Sequence, residues 1–142
     1  MKQVTLNLKK ESICHNPDNN AIYGNIFLEI GEIAYPNKEW NDYIVRLLTT
    51  WAYSLMNNKL GELYFFDGPY EIFFKKTKDK IFFSLESENE YSCLIKDFLQ
   101  SILTCLMIVL EYIELNKLQI PDINRIMQCM DVIKGELQEI SN

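Results

Sequence analysis

Trp40, Ile44, Leu47, Leu48, Trp51 and Leu55 stand at offsets 0, 4, 7, 8, 11 and 15 of one segment. Only a repeat of 3.6 residues puts all six on one side, so the segment reads as an amphipathic helix whose stripe must be covered. Its cover is written on either side of it. Val4, Leu6 and Leu8 alternate with polar neighbours, and so do Ile26, Leu28 and Ile30. Tyr70, Ile72 and Phe74 share one face of a later segment, as do Ile81, Phe83 and Leu85 of the next. These alternations predict strands over 3–9, 25–30, 62–66, 70–76 and 80–86. One-faced strands beside a one-striped helix bury their apolar sides against each other.

Turn chemistry sets the boundaries. Residues 10–21 are polar and rich in Asn, and read as a loop. Ile33 and Tyr35 continue the second strand on the opposite parity after Gly31, which predicts a bulge there. Asn37, after Pro36, suits a helix N-cap, and Glu39 in the first turn suits the helix dipole. Asn57, Asn58 and Gly61 end that helix. Asp67-Gly68 and Thr77-Lys78-Asp79 mark two hairpins. Two further helices follow, over 90–116 and 121–140. The first has a polar seam at Glu90, Asp97, Thr104 and Glu111, spaced by seven. In the second, Gly135 predicts either close packing or a break. The sum is a single α+β domain over 1–142, with an antiparallel or mixed sheet of about five strands and three helices (37–58, 90–116, 121–140).

The net charge of −6 is unevenly placed. Residues 1–85 hold ten acids and ten bases, whereas 86–142 hold ten acids against Lys96, Lys117, Arg125 and Lys134. A field of that sign repels nucleic acid and speeds encounter with basic partners. A cluster of Lys75, Lys76, Lys78 and Lys80 could contact phosphates, but lysines on strands also guard exposed edges. The apolar run Phe98–Leu110 carries Gln100, Ser101 and Thr104, and is read as a core helix, not a membrane span.

Chemistry-bearing groups are sparse. Cys14-His15 adjoin, but no second histidine exists, and Cys93, Cys105 and Cys129 lie in apolar patterns read as helical. Neither a metal centre nor a nucleophile–base pair can be assembled from such spacing. The thiols are expected to be reduced in a cytoplasm. Trp40, Trp51, Tyr64, Phe65 and Tyr70 are expected in the core before a pocket. Glu86, Glu88 and Glu90 cluster where the last strand meets the long helix, and with Asp97 and Glu111 they form the candidate partner-binding face.

The Gly24-Asn25-Ile26 strand start, Pro36 with Trp40 four residues on, Trp51, and Phe66-Asp67-Gly68-Pro69-Tyr70 together resemble small bacterial immunity proteins that neutralise secreted polymorphic toxins. The resemblance covers about residues 22–75. It implies a cytoplasmic, non-enzymatic inhibitor, without cofactor, that binds a cognate and basic toxin domain. Two other classes stay open. A general interaction or self-assembling module, including a homo-oligomer, predicts association with no toxin encoded nearby. A small-ligand domain or enzyme predicts a polar pocket around His15 or Glu86–Glu90.

Overall fold

The computed structural model describes residues 4–85 and 89–141. Nine strands and three helices follow one another among them. They are β1 (Val4–Leu8), β2 (Cys14–Asn16), β3 (Ala21–Ile30), β4 (Ile33–Tyr35), β5 (Asn41–Tyr43), α1 (Ile44–Asn57), β6 (Leu60–Tyr64), β7 (Glu71–Lys76), β8 (Lys80–Ser84), β9 (Glu90–Leu94), α2 (Ile95–Leu115) and α3 (Asp122–Ser141). The class is α+β with three helices. The strands divide between two antiparallel sheets, of five and four strands, rather than forming one.

In the five-stranded sheet β3 is the hub. Its second half opposes β1 and β4, so that Leu28 faces both Leu6 and Tyr35. Its first half opposes β2 and β5, with Tyr23 facing Cys14 and Tyr43. The polar segment 10–21 is therefore partly strand: the Asn-rich turn lets Cys14–Asn16 pair back on β3. The parity change after Ile30 comes from chain reversal and not from a bulge. Ile30 pairs with Ile33 across a two-residue turn, and Gly31 supplies its positive φ of 59°. Only glycine adopts that conformation freely.

The first helix begins seven residues later than expected. Residues 41–43 pair with β3 as β5, and α1 starts at Ile44. Asn37 caps no helix; its Oδ1 accepts the Glu39 N–H at 2.9 Å in a local turn. Trp40 thus shares the spacing of the stripe without belonging to it. From Ile44 on the stripe is as expected, with Leu47, Leu48 and Trp51 wholly buried. The helix ends where Asn58 donates to the Ser54 carbonyl from both its backbone and its side chain.

The four-stranded sheet is a meander in the order β6-β7-β8-β9. Its inner face contributes Leu63, Ile72, Phe74, Ile81, Phe83 and Cys93 to the core. Here the second difference lies. Residues 90–94 are strand, so α2 starts at Ile95, and Cys93 is buried on β9 rather than on a helix. The Asp79 carbonyl accepts the Ile95 N–H at 2.9 Å, which ties the β7–β8 hairpin tip to the start of α2.

Helix α2 is longer than the apolar run that announces it. By length and composition this helix of 21 residues matches a membrane-crossing segment, with a mean hydropathy of 1.7 over an 18-residue window. In this fold Phe98, Ile102, Leu106, Val109 and Ile113 are buried between sheets and helices. Ser101 and Cys105 of α2 also cover the edge of β1: Leu6 N–H donates to Ser101 Oγ at 3.2 Å, and the Cys105 thiol contacts the Leu6 carbonyl at 3.5 Å. Helix α3 runs without a break. A Cβ at Gly135 would meet nothing within 4 Å, so the residue marks neither close packing nor a kink.

Candidate protein-binding surface

Cross-strand register builds the outer face of the four-stranded sheet. Directly opposed residues of antiparallel strands point to the same side, so each row can be read off. One row is Glu62, Phe73, Ser84 and Glu90; the next is Leu60, Lys75, Phe82 and Ser92. Tyr64 opposes Glu71 in a third. Leu60 is 71% exposed, and Tyr64 and Phe73 are each 48% exposed. The Tyr64 hydroxyl donates to the Glu62 carboxylate two residues away, and that bond, first among the causes, raises the phenol's pKa above its ordinary value.

Three large apolar side chains therefore stand in water on adjoining edge and second strands, with carboxylates of Glu62, Glu71 and Glu90 around them. Scattered exposed hydrophobes are ordinary, but a contiguous group with a charged rim has the anatomy of an interface. Strand β6 is also a sheet edge, with backbone groups not used by a neighbouring strand.

The acids singled out in the sequence fall on different parts of the molecule. Glu86 and Glu88 lie outside the described residues. Glu90 is exposed on β9 and belongs to the outer face just described, not to the seam of a helix. Asp97 sits half-buried in the first turn of α2. Glu111 is 14 residues further along that helix, ~21 Å at the helical rise, and pairs with Lys10 at 3.3 Å. Glu111 and Glu90 thus do not form one cluster. The part sequence reasoning missed is the apolar half: Leu60, Tyr64 and Phe73 alternate with buried residues, and that alternation could have been extended to name them.

The four hairpin lysines also separate. Lys75 is exposed and Lys80 half-buried on the outer face, while Lys76 and Lys78 line a groove with Ile95, Glu136 and Ile140, where burial lowers the pKa of Lys76.

The remaining candidates are accounted for locally. His15 Nε2 lies 2.9 Å from Asn20 Oδ1 across the exposed β2–β3 turn. Among the described residues no group of three or more His, Cys, Asp or Glu is placed to hold a metal ion. Most of the expected aromatic cluster is packed: Trp40 and Trp51 each meet Phe65 edge to face, and Tyr70 meets Trp40 in the same way at 5.1 Å. Trp51 Nε1 donates to the Tyr64 carbonyl at 2.8 Å. Tyr64 itself points outward.

Cys14 is exposed, and Cys93, Cys105 and Cys129 are buried and free. Burial pushes the Cys93 and Cys105 thiols up to about 12 and that of Cys129 to about 11. Thiols held protonated in this way are poor nucleophiles and poor ligands.

No family model, no curated protein and no solved structure matches this chain.

Proposed function

We propose that this protein is a non-enzymatic binding domain of the immunity type, which neutralises a basic bacterial toxin in the cytoplasm by covering it with the outer face of its four-stranded sheet. The observation that carries the reading is the juxtaposition of exposed Leu60, Tyr64 and Phe73 with Glu62, Glu71 and Glu90 on that face. Aromatic and aliphatic anchors desolvated at the centre of a contact supply most of its affinity. Acids at the rim select a basic partner and speed its approach. The excess of six acids over bases in residues 86–142 adds to the same field. Binding without chemistry also fits a histidine engaged with an asparagine in an exposed turn.

The test is co-expression with the product of the adjacent open reading frame, followed by co-purification and a growth assay. A stoichiometric complex and restored growth support the reading. A soluble neighbour product that neither binds nor is neutralised removes the immunity reading. Self-association through the same face, seen by analytical ultracentrifugation in the absence of any partner, favours the assembly-module alternative.

A further inference from the structure

Fourteen basic residues occur in this chain, and only Arg46 and Arg125 are arginines. They stand 79 positions apart, yet both line one cleft of about 230 Å³ between the start of α1 and the start of α3. That volume is well above the ~10–15 Å³ that a single water requires. We propose that this cleft binds a tetrahedral oxyanion, either free phosphate or the phosphate of a small ester.

The donors are of the right kind and come from three directions. Arg46 stands in the first turn of α1 and Arg125 in the first turn of α3. The Asn-rich β2–β3 turn closes the third side with Asn20, while the Asn19 amide is held in the turn by the Tyr23 hydroxyl and the Ala21 N–H. A planar carboxylate is matched by one guanidinium fork, whereas donor side chains supplied by three separate elements suit a tetrahedral anion. The Arg46 guanidinium lies over the Phe66 ring, 5.1 Å from its centroid. Such stacking uses its face and leaves its edge N–H groups for a ligand. Asn20 already engages His15 through its Oδ1, so its amide NH2 remains as a donor. The first turn of α1 has no side-chain cap, because Tyr43 makes no such hydrogen bond. The Asp42 carboxylate accepts the Tyr43 N–H just before that turn, so the guanidinium groups, and not the helix terminus, carry the attraction.

The charge balance supports the assignment. Asp122 also lines the cleft but pairs with neither arginine; the ion pair found among the described residues is that of Lys10 with Glu111. Among the residues that line the cleft two cations stand against one carboxylate, with Asp42 and Asp67 acting on the lining Tyr43 from outside it, on a chain of net charge −6. On such a protein a local positive site stands against the overall field, so the attraction has to be short-ranged and directional.

The site is distinct from the outer sheet face, and its test needs no protein partner. Isothermal titration with inorganic phosphate, and separately with adenosine monophosphate, is run on the wild type and on Arg46→Gln, Arg125→Gln, Asp122→Asn and Lys75→Gln. The wild type is expected to bind saturably, with a dissociation constant of about 1 mM or below. Each arginine variant should weaken binding at least tenfold, Asp122→Asn should tighten it, and Lys75→Gln, on the outer sheet face, should leave it unchanged. Tighter binding of the nucleotide identifies an ester as the ligand class, and equal binding identifies free phosphate. Circular dichroism confirms folding, and Arg125→Gln decides should Arg46→Gln misfold through loss of its contact with Phe66. The absence of saturable binding, or an equal loss in Lys75→Gln and the arginine variants, overturns the proposal.

Discussion

Asp42 Oδ2 accepts the backbone N–H of Phe66 at 2.9 Å, and this contact joins the five-stranded sheet to the turn of the four-stranded one. The same oxygen accepts Trp40 Nε1–H at 2.9 Å, and Oδ1 accepts the Tyr43 N–H at 2.7 Å. A fully buried carboxylate is tolerable when its lone pairs are met in this way. The carboxylate, in turn, satisfies three donors of half-buried residues. Asp42→Ala should cost roughly 3 kcal/mol in chemical denaturation, because those donors lose their acceptor. Asp42→Asn should not rescue it. Either orientation of the amide points its NH2 at a donor, at the Tyr43 N–H or at the Trp40 and Phe66 pair. An Asn variant as stable as wild type would show that the carboxylate is not the acceptor of all three.

Gly68 is needed for a different reason. A Cβ there would lie 2.5 Å from Trp40 Cη2. The indole cannot easily swing away, since Asp42 holds its N–H and Phe65 and Tyr70 pack on its faces and edges. Gly68→Ala should therefore cost ~1–3 kcal/mol by overpacking. In a Trp40→Leu background the same change should cost much less, and a double-mutant cycle measures the difference. Equal costs in both backgrounds would place the strain elsewhere.

Gly135 gives the opposite expectation. It lies exposed in the interior of α3 with open space around it. Gly135→Ala should raise stability by ~0.5–1 kcal/mol, from helix propensity and reduced freedom of the unfolded chain. A melting temperature that falls instead would reveal packing at that position.

These residues also show where the sequence was legible. The α+β class, the three helices, most strand segments and the buried stripe of α1 all follow from periodicity, because burial on one face leaves its repeat in the chain. The start of α1 was not legible. Trp40 falls on the helical repeat by coincidence of spacing, and Asp42, a polar residue at a core position, carries no apolar signal. Its role exists only once Phe66 arrives from 24 residues away. The strand character of residues 90–94 was masked in the same way, by a polar seam whose spacing of seven includes Glu90. The split into two sheets was not legible because strand alternation states which face is buried, not which strands are neighbours. Of the candidate acids, Glu90 stood out by its place in the acidic run and the polar seam, but its apolar companions come from the register of β6 and β7.

The buried thiols set a direction for pH. In the unfolded chain they ionise near the ordinary 9.0, whereas the folded protein holds Cys93 and Cys105 protonated to about 12 and Cys129 to about 11. Folded-state values are thus raised, and the unfolded state binds fewer protons above pH 9. Stability is full below that value and falls as the pH rises toward the folded-state values, by up to ~1.4 kcal/mol per pH unit for each thiol. Urea denaturation at a series of pH values from neutral into this alkaline window checks it. Cys105→Ala should show a shallower alkaline decline than wild type, though a lower stability at neutral pH from its cavity. Parallel declines in the two proteins would rule out ionisation of Cys105 as a contributor.

The most direct test of the binding account is the affinity of Phe73→Asp for the product of the adjacent open reading frame, measured by surface plasmon resonance. Phe73 is half-exposed at the centre of the outer sheet face, opposite Glu62 and Ser84, so its loss should leave folding intact. The account predicts affinity weakened by roughly 30-fold or more, equivalent to at least ~2 kcal/mol, chiefly through faster dissociation. An unchanged dissociation rate, with a partner that binds the wild type, would contradict it.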